Sequence, residues 1–185
     1  MKQTTIFMTY NPKVGSEQTL AVRLHTIGAV NGFRMYMPDR HNSDSILDTE
    51  TQRRINMSDY LVLFSLGKLS AIVKQEIEYA FKHLQDKSKI IVIYDSRKGK
   101  NLKGDITQHF TPFYFNPTEG NVDAFLNSVV TTIFYKEHIT HQNQQHKAEN
   151  ARLQSEKQTE QGLTALLGIG VGLFVLNALP KQIGF

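Results

Sequence analysis

Residues 60–64 (YLVLF) and 89–94 (KIIVIY) restrict the fold of this chain most. Each is a short apolar run without alternation, so a strand built from it needs protein on both faces. Residues 4–9 (TTIFMT) form a third such run, β-branched and apolar, which stops at Tyr10-Asn11-Pro12. Helical periodicity fills the gaps. Leu20, Ala21, Leu24 and Ile27 recur at helical spacing behind Ser16, a candidate N-cap. Residues 33–37 (FRMYM) read as a strand ended by Pro38-Asp39-Arg40, and residues 48–57 as a short helix. A helix over 70–85, a weak strand at 113–115 and an amphipathic helix over 122–135 complete the pattern. This alternation predicts an α/β fold, a flavodoxin-like doubly wound parallel sheet of about five strands.

At 185 residues, one domain and an appendage are expected. The domain is expected over residues 1–137. Cysteine is absent, which excludes disulfides and thiolate metal sites and fits a reducing compartment. Net charge is +4, with no dense basic stripe, so a nucleic-acid partner is not expected. Residues 1–10 carry too short an apolar run for a signal peptide, which places the domain in the cytoplasm. Arg97, Lys98, Lys100 and Lys103 form a basic loop, read as solvated, with contact to a nucleotide pyrophosphate or anionic lipid as the alternative. His138, His141 and His146 lack acids at metal-ligand spacing, so no metal site is expected. There is no P-loop, G-x-G-x-x-G or G-x-S-x-G motif.

Residues 138–161 contain six glutamines and few apolar side chains, the composition of a polar helical stalk or a disordered linker. Residues 163–179 (LTALLGIGVGLFVLNAL) carry no charge and lie within an expected membrane-spanning helix at 162–180. At helical rise they reach roughly 26 Å, slightly short of a bilayer core of about 30 Å. Gly168 and Gly172 form a small-xxx-small pair through which two such helices could associate. Lys147, Arg152 and Lys157 precede the span and Lys181 alone follows it, which favours an N-terminal cytoplasmic side. A helix packed on the domain or in a soluble oligomer is the alternative.

In a doubly wound sheet, ligands sit outside the carboxyl ends of the strands, where strand order reverses. For a flavodoxin-like order that point lies between the first and third strands. Tyr10, Asn11, Ser65, Leu66 and Gly67 stand at those ends, with Asp39 and Arg40 after the neighbouring second strand. Ser70 opens the next helix, where amide groups favour an anion or sugar hydroxyls. On a helical wheel about Val73, Leu69, Ile77, Ala80 and Leu84 fall within about 40°, and Glu76 at about −60° lies inside the same apolar stripe. Such a carboxylate either reaches the stripe's edge and puts its head in water or lines a pocket.

The run Ser58-Asp59-Tyr60 to Ser65, then Gly67, Ser70 and Val73-Lys74-Gln75-Glu76-Ile77, resembles the centre of a TIR (Toll/interleukin-1 receptor) domain. Residues 6–10 resemble the family's first strand, and residues 32–40 its second strand and following loop. The resemblance covers residues 2–137. Many bacterial TIR domains cleave NAD+ at the nicotinamide–ribose bond, and the resemblance implies Glu76 as the essential catalytic residue. It implies NAD+ as substrate, no cofactor, and a role in antiphage defence. Many catalytic members place Trp or Cys shortly before the glutamate; Ala71, Ile72 and Val73 stand there in this chain.

Three functions follow as expectations. The first is a NAD+ hydrolase or cyclase tethered by a single pass to the inner membrane, self-assembling through its domain and the Gly168/Gly172 face, with a partner effector or sensor protein. The second is a non-catalytic TIR adaptor acting by homotypic contacts. The third is a nucleoside deoxyribosyltransferase-like enzyme.

Overall fold

The computed structural model describes residues 3–39, 46–98, 108–118 and 121–176, with side chains through residue 157. Arg40 therefore lies outside the described residues, as do the side chains of the expected membrane span. In chain order the elements are β1 (Thr5–Thr9), α1 (Gly15–Val30), β2 (Arg34–Tyr36), α2 (Thr49–Asn56) and β3 (Tyr60–Ser65). Then come α3 (Ala71–His83), a 3-10 turn (Lys87–Lys89), β4 (Ile90–Asp95), β5 (Thr111–Phe115) and α4 (Val122–Leu176).

All strand pairs are parallel, in the order β2-β1-β3-β4-β5. The unbroken runs become the central strands, whose side chains go alternately to two cores. Ile6, Met8, Tyr60, Val62, Phe64, Ile91 and Ile93 pack with Leu20 and Leu24 of α1 and with Leu126, Val129, Val130 and Ile133 of α4. Phe7, Leu61, Leu63, Ile90, Val92 and Tyr94 pack on the other face with Ile55 of α2 and Ile72, Val73, Ile77 and Ala80 of α3. Burial of such a side chain stabilises by about 1.5–3 kcal/mol. β5 contains Pro112, which a ladder tolerates because β5 is an edge strand.

Helix ends differ from the expectation at several places, the start of α1 among them. α1 begins at Gly15 behind Val14, which offers no side-chain cap; Ser16 is already inside the helix. α2 is capped as its sequence suggests, with the Asp48 carboxylate accepting from Thr51 N at 2.8 Å. Between α1 and β2, Gly32 adopts φ 85°, and Phe33 N donates back to Gly28 O at 3.0 Å.

The chain divides into two units, Met1–Ile133 and Phe134–Phe185. The helix expected to end near residue 135 continues to Leu176 as one 55-residue α-helix, so the polar segment 138–161 is helical and not a linker without structure. Nothing in that segment is glycine or proline, and side chains such as Arg152 and Glu156 pair at i,i+4, 3.0 Å apart. Among the described residues, no helix is long and apolar enough to cross a membrane.

Candidate functional site

The strand order reverses between β1 and β3, and a cleft of about 280 Å³ opens there. One wall is residues 11–13 of the β1–α1 loop; the other is residues 68–72, from the β3–α3 loop into the first turn of α3. Lys13 and Lys68 stand exposed on opposite walls. Ser70 is the N-cap of α3, yet its side chain makes no capping bond. Among the described residues its buried Oγ has no hydrogen-bond partner.

Glu76 is fully buried on α3, one turn beyond Ile72. Its carboxylate Oε2 accepts the Thr9 hydroxyl. The contact follows from strand alternation. Phe7 faces α3, so Thr9, two residues on, faces α3 as well. Leu61 and Leu63 put Ser65 on that same face of β3. Thr9, Ser65 and Glu76 are all buried, which makes a polar group inside the core that carries the helix. Glu76 is not among the residues lining the cleft.

Asn11, Tyr10 and Gly67 are held by structural contacts. Asn11 donates from Nδ2 to Lys68 O at 2.6 Å and accepts from Lys13 N at 3.0 Å, so it joins the two walls. Tyr10 is buried in the α1-side core and offers no open ring face. Gly67 packs against α1, where an added Cβ would lie 3.1 Å from Val14 Cγ2. Asp39 is exposed beyond β2.

One functional-site residue is not apparent from strand ends alone. Glu17, in the first turn of α1, is fully buried. Its Oε2 accepts from Asn11 N at 2.8 Å, and its Oε1 from Leu66 N at 2.8 Å and Gly67 N at 2.9 Å. Burial pushes its carboxyl above the ordinary value of 4.5, against the pull of the three backbone N–H groups and of Lys98. Lys98 Nζ donates to Leu66 O at 2.9 Å and stands 3.4 Å from the buried Asp95 carboxylate. Loops after β1, β3 and β4 are thereby tied at one point. The signal for Glu17 is in the sequence. Advancing about 100° per residue puts Leu20, Ala21 and Leu24 within about 60° of it, so it sits in an apolar stripe as Glu76 does.

A parallel sheet of this order, with a cleft at its switch point, defines a flavodoxin-like doubly wound α/β domain. No protein-family model matches the chain, and no curated protein is significantly similar to it. Among solved structures, it is similar to the Flv1 flavodiiron core from Synechocystis (10% identity, TM-score 0.48), covering 70% of this chain and 36% of that one. It is similar to a flavodoxin-like domain from Synechococcus (15% identity, TM-score 0.47), covering 69% and 92%. It is also similar to the CMP N-glycosidase BcmB of Clostridium botulinum (13% identity, TM-score 0.43), covering 68% and 98%.

Proposed function

We propose that this chain is a TIR-domain NAD+ nucleosidase, a hydrolase or cyclase that cleaves the nicotinamide–ribose bond in antiphage defence. The observation that carries the reading is Glu76, a buried carboxylate held by Thr9 on the helix that enters the switch-point cleft. Nicotinamide leaves as a neutral group from a cationic one, so acid catalysis is dispensable. The need is for a carboxylate beside the ribose to stabilise the oxocarbenium-like centre. Water, or a nucleophile within the same molecule, then attacks that carbon. Lys13 and Lys68 on the two walls suit the anionic pyrophosphate. Because Glu76 has no solvent exposure, substrate contact requires the side chains between it and the cleft, Ile72 among them, to rearrange.

The proposal includes a single-pass tether in the inner membrane through residues 162–180, with the domain in the cytoplasm. It includes self-association of domains and of the Gly168/Gly172 face, and a partner effector or sensor. The absence of Trp or Cys shortly before Glu76, where Ala71, Ile72 and Val73 stand, favours the second reading, a non-catalytic adaptor. Liposome-reconstituted chain supplied with NAD+ separates the two. Release of free nicotinamide supports the enzyme; none at high surface density supports the adaptor.

A further inference from the structure

Glu17 is used by nothing in the chemistry above, yet its carboxylate accepts three backbone hydrogen bonds at the switch point. In a doubly wound domain, backbone N–H groups of the β1–α1 turn commonly serve a bound anion. Here Asn11 N, Leu66 N and Gly67 N all point at Glu17. Asn11 belongs to one wall of the cleft, and Leu66 and Gly67 lead directly into the other. The two oxygens divide accordingly: Oε2 takes the β1–α1 loop and Oε1 takes the β3–α3 loop.

We propose that Glu17 is the positioning residue of the cleft, an internal anion that fixes the spacing of the β1–α1 and β3–α3 loops and so the fit of substrate between them. This rests on the nucleosidase reading for its kinetic consequence only; the clamp itself is a property of the fold. Glu17 touches no substrate. It acts through Asn11, whose side chain also bonds Lys68 O, and through the loop that delivers Ser70 to the cleft. Charged groups near it are Lys98, from the loop after β4, and through Lys98 the Asp95–Arg97 pair. Lys13 and Lys68 are carried on the clamped loops themselves.

A carboxylate is required because N–H groups approach both of its oxygens. In Glu17→Gln, one oxygen becomes an NH2 that faces a donor, so one loop is released. Glu17→Ala releases both and leaves space that added formate can refill. The test uses the full chain. Exchange of the Leu66 and Gly67 amides, or of Asn11, should quicken at least tenfold in Glu17→Gln. The KM for NAD+ should rise about tenfold while kcat stays within about twofold, and formate should restore the KM of Glu17→Ala. Unchanged exchange at all three amides overturns the clamp. So does a loss confined to kcat. Should Glu17→Gln not fold, the wild type still decides. The amide shifts of Asn11, Leu66 and Gly67 should titrate together with a single midpoint, because all three donate to this one carboxyl; independent titrations, or none, overturn it. Absence of nicotinamide release from wild type would defeat the enzyme reading and leave the amide measurements as the test of the clamp.

Discussion

Replacing Thr9 by valine should separate the role of its hydroxyl from that of its bulk. The two side chains have nearly the same shape, and Thr9 is fully buried, so the change leaves no cavity to fill. What it removes is the donor to Glu76 Oε2. A hydrogen bond to a charged group contributes about 1.5–3 kcal/mol, and a buried carboxylate left short of a donor bears its desolvation cost. Part of that loss is offset by the extra methyl, so a net cost of about 2 kcal/mol is expected. With an unfolding entropy near 2.1 cal/mol/K per residue over the Met1–Ile133 unit, the melting temperature should fall by about 7 °C. Urea denaturation should show a lower midpoint at unchanged slope. A double-mutant cycle with Glu76→Gln should give a coupling of at least about 1 kcal/mol, since the two groups touch. A cost below about 0.5 kcal/mol, or additive effects, would refute the pairing of Thr9 with Glu76 as the contact that orients the carboxylate.

Other expectations are simpler. Gly32→Ala should cost about 1–2 kcal/mol in chemical denaturation, because Gly32 sits at φ 85° in open space, so the whole penalty is backbone conformation. Acid should act through groups of opposite sign. Asp95, held far below the usual carboxylate range chiefly by its hydrogen bond from Arg97, contributes stability above its ordinary pKa of 3.8 and loses it as pH falls. Glu50, lowered to about 2 chiefly by its hydrogen bond from Arg53, behaves alike. Glu17 is raised, so its contribution is full below 4.5 and is lost as pH rises through its folded value. Stability measured downward from pH 7 should therefore hold level or rise before it falls; a steady decline from neutrality would contradict the assignment for Glu17. A chain ending at Lys136 should stay in the supernatant after flotation with liposomes, while the full chain floats with them. Gly172→Leu should reduce crosslinking between reconstituted chains several-fold, and unchanged crosslinking would remove the Gly168/Gly172 face from the account.

The sheet was legible because its central strands are buried on both sides. Residues 60–64 and 89–94 read as parallel strands for that reason, and they occupy the middle of the sheet. Edge elements leave a weaker trace in the sequence. β5 spans Thr111–Phe115 and not only residues 113–115, since its side chains alternate between half-buried and exposed and Pro112 masks the pattern. Ser16 has the right chemistry for a cap, but the chain turns into α1 two residues sooner without one. The polar segment after residue 137 was ambiguous on composition, because a helix without an apolar stripe leaves no periodic trace.

Glu76 was found by its position inside an apolar stripe, and its burial agrees with that pattern. The wheel could not supply Thr9, because that contact depends on how α3 lies on the sheet. Tyr10, Asn11 and Gly67 do stand at the strand ends, but their contacts hold the loops in place. Glu17 lies in the first turn of α1, away from the strand ends at which ligands sit in a doubly wound sheet. Its place in the apolar stripe of α1 is legible in the sequence, whereas the three N–H groups that meet it depend on how the loops fold.

The central claim turns on Glu76, and nicotinamide release from NAD+ by the reconstituted full chain tests it most directly. Wild type should release nicotinamide, and Glu76→Gln, which keeps an acceptor for Thr9 but has no charge to stabilise the ribosyl cation, should lower kcat by about 10²-fold or more. Release by Glu76→Gln at the wild-type rate would contradict the account, whatever the stability of the variant.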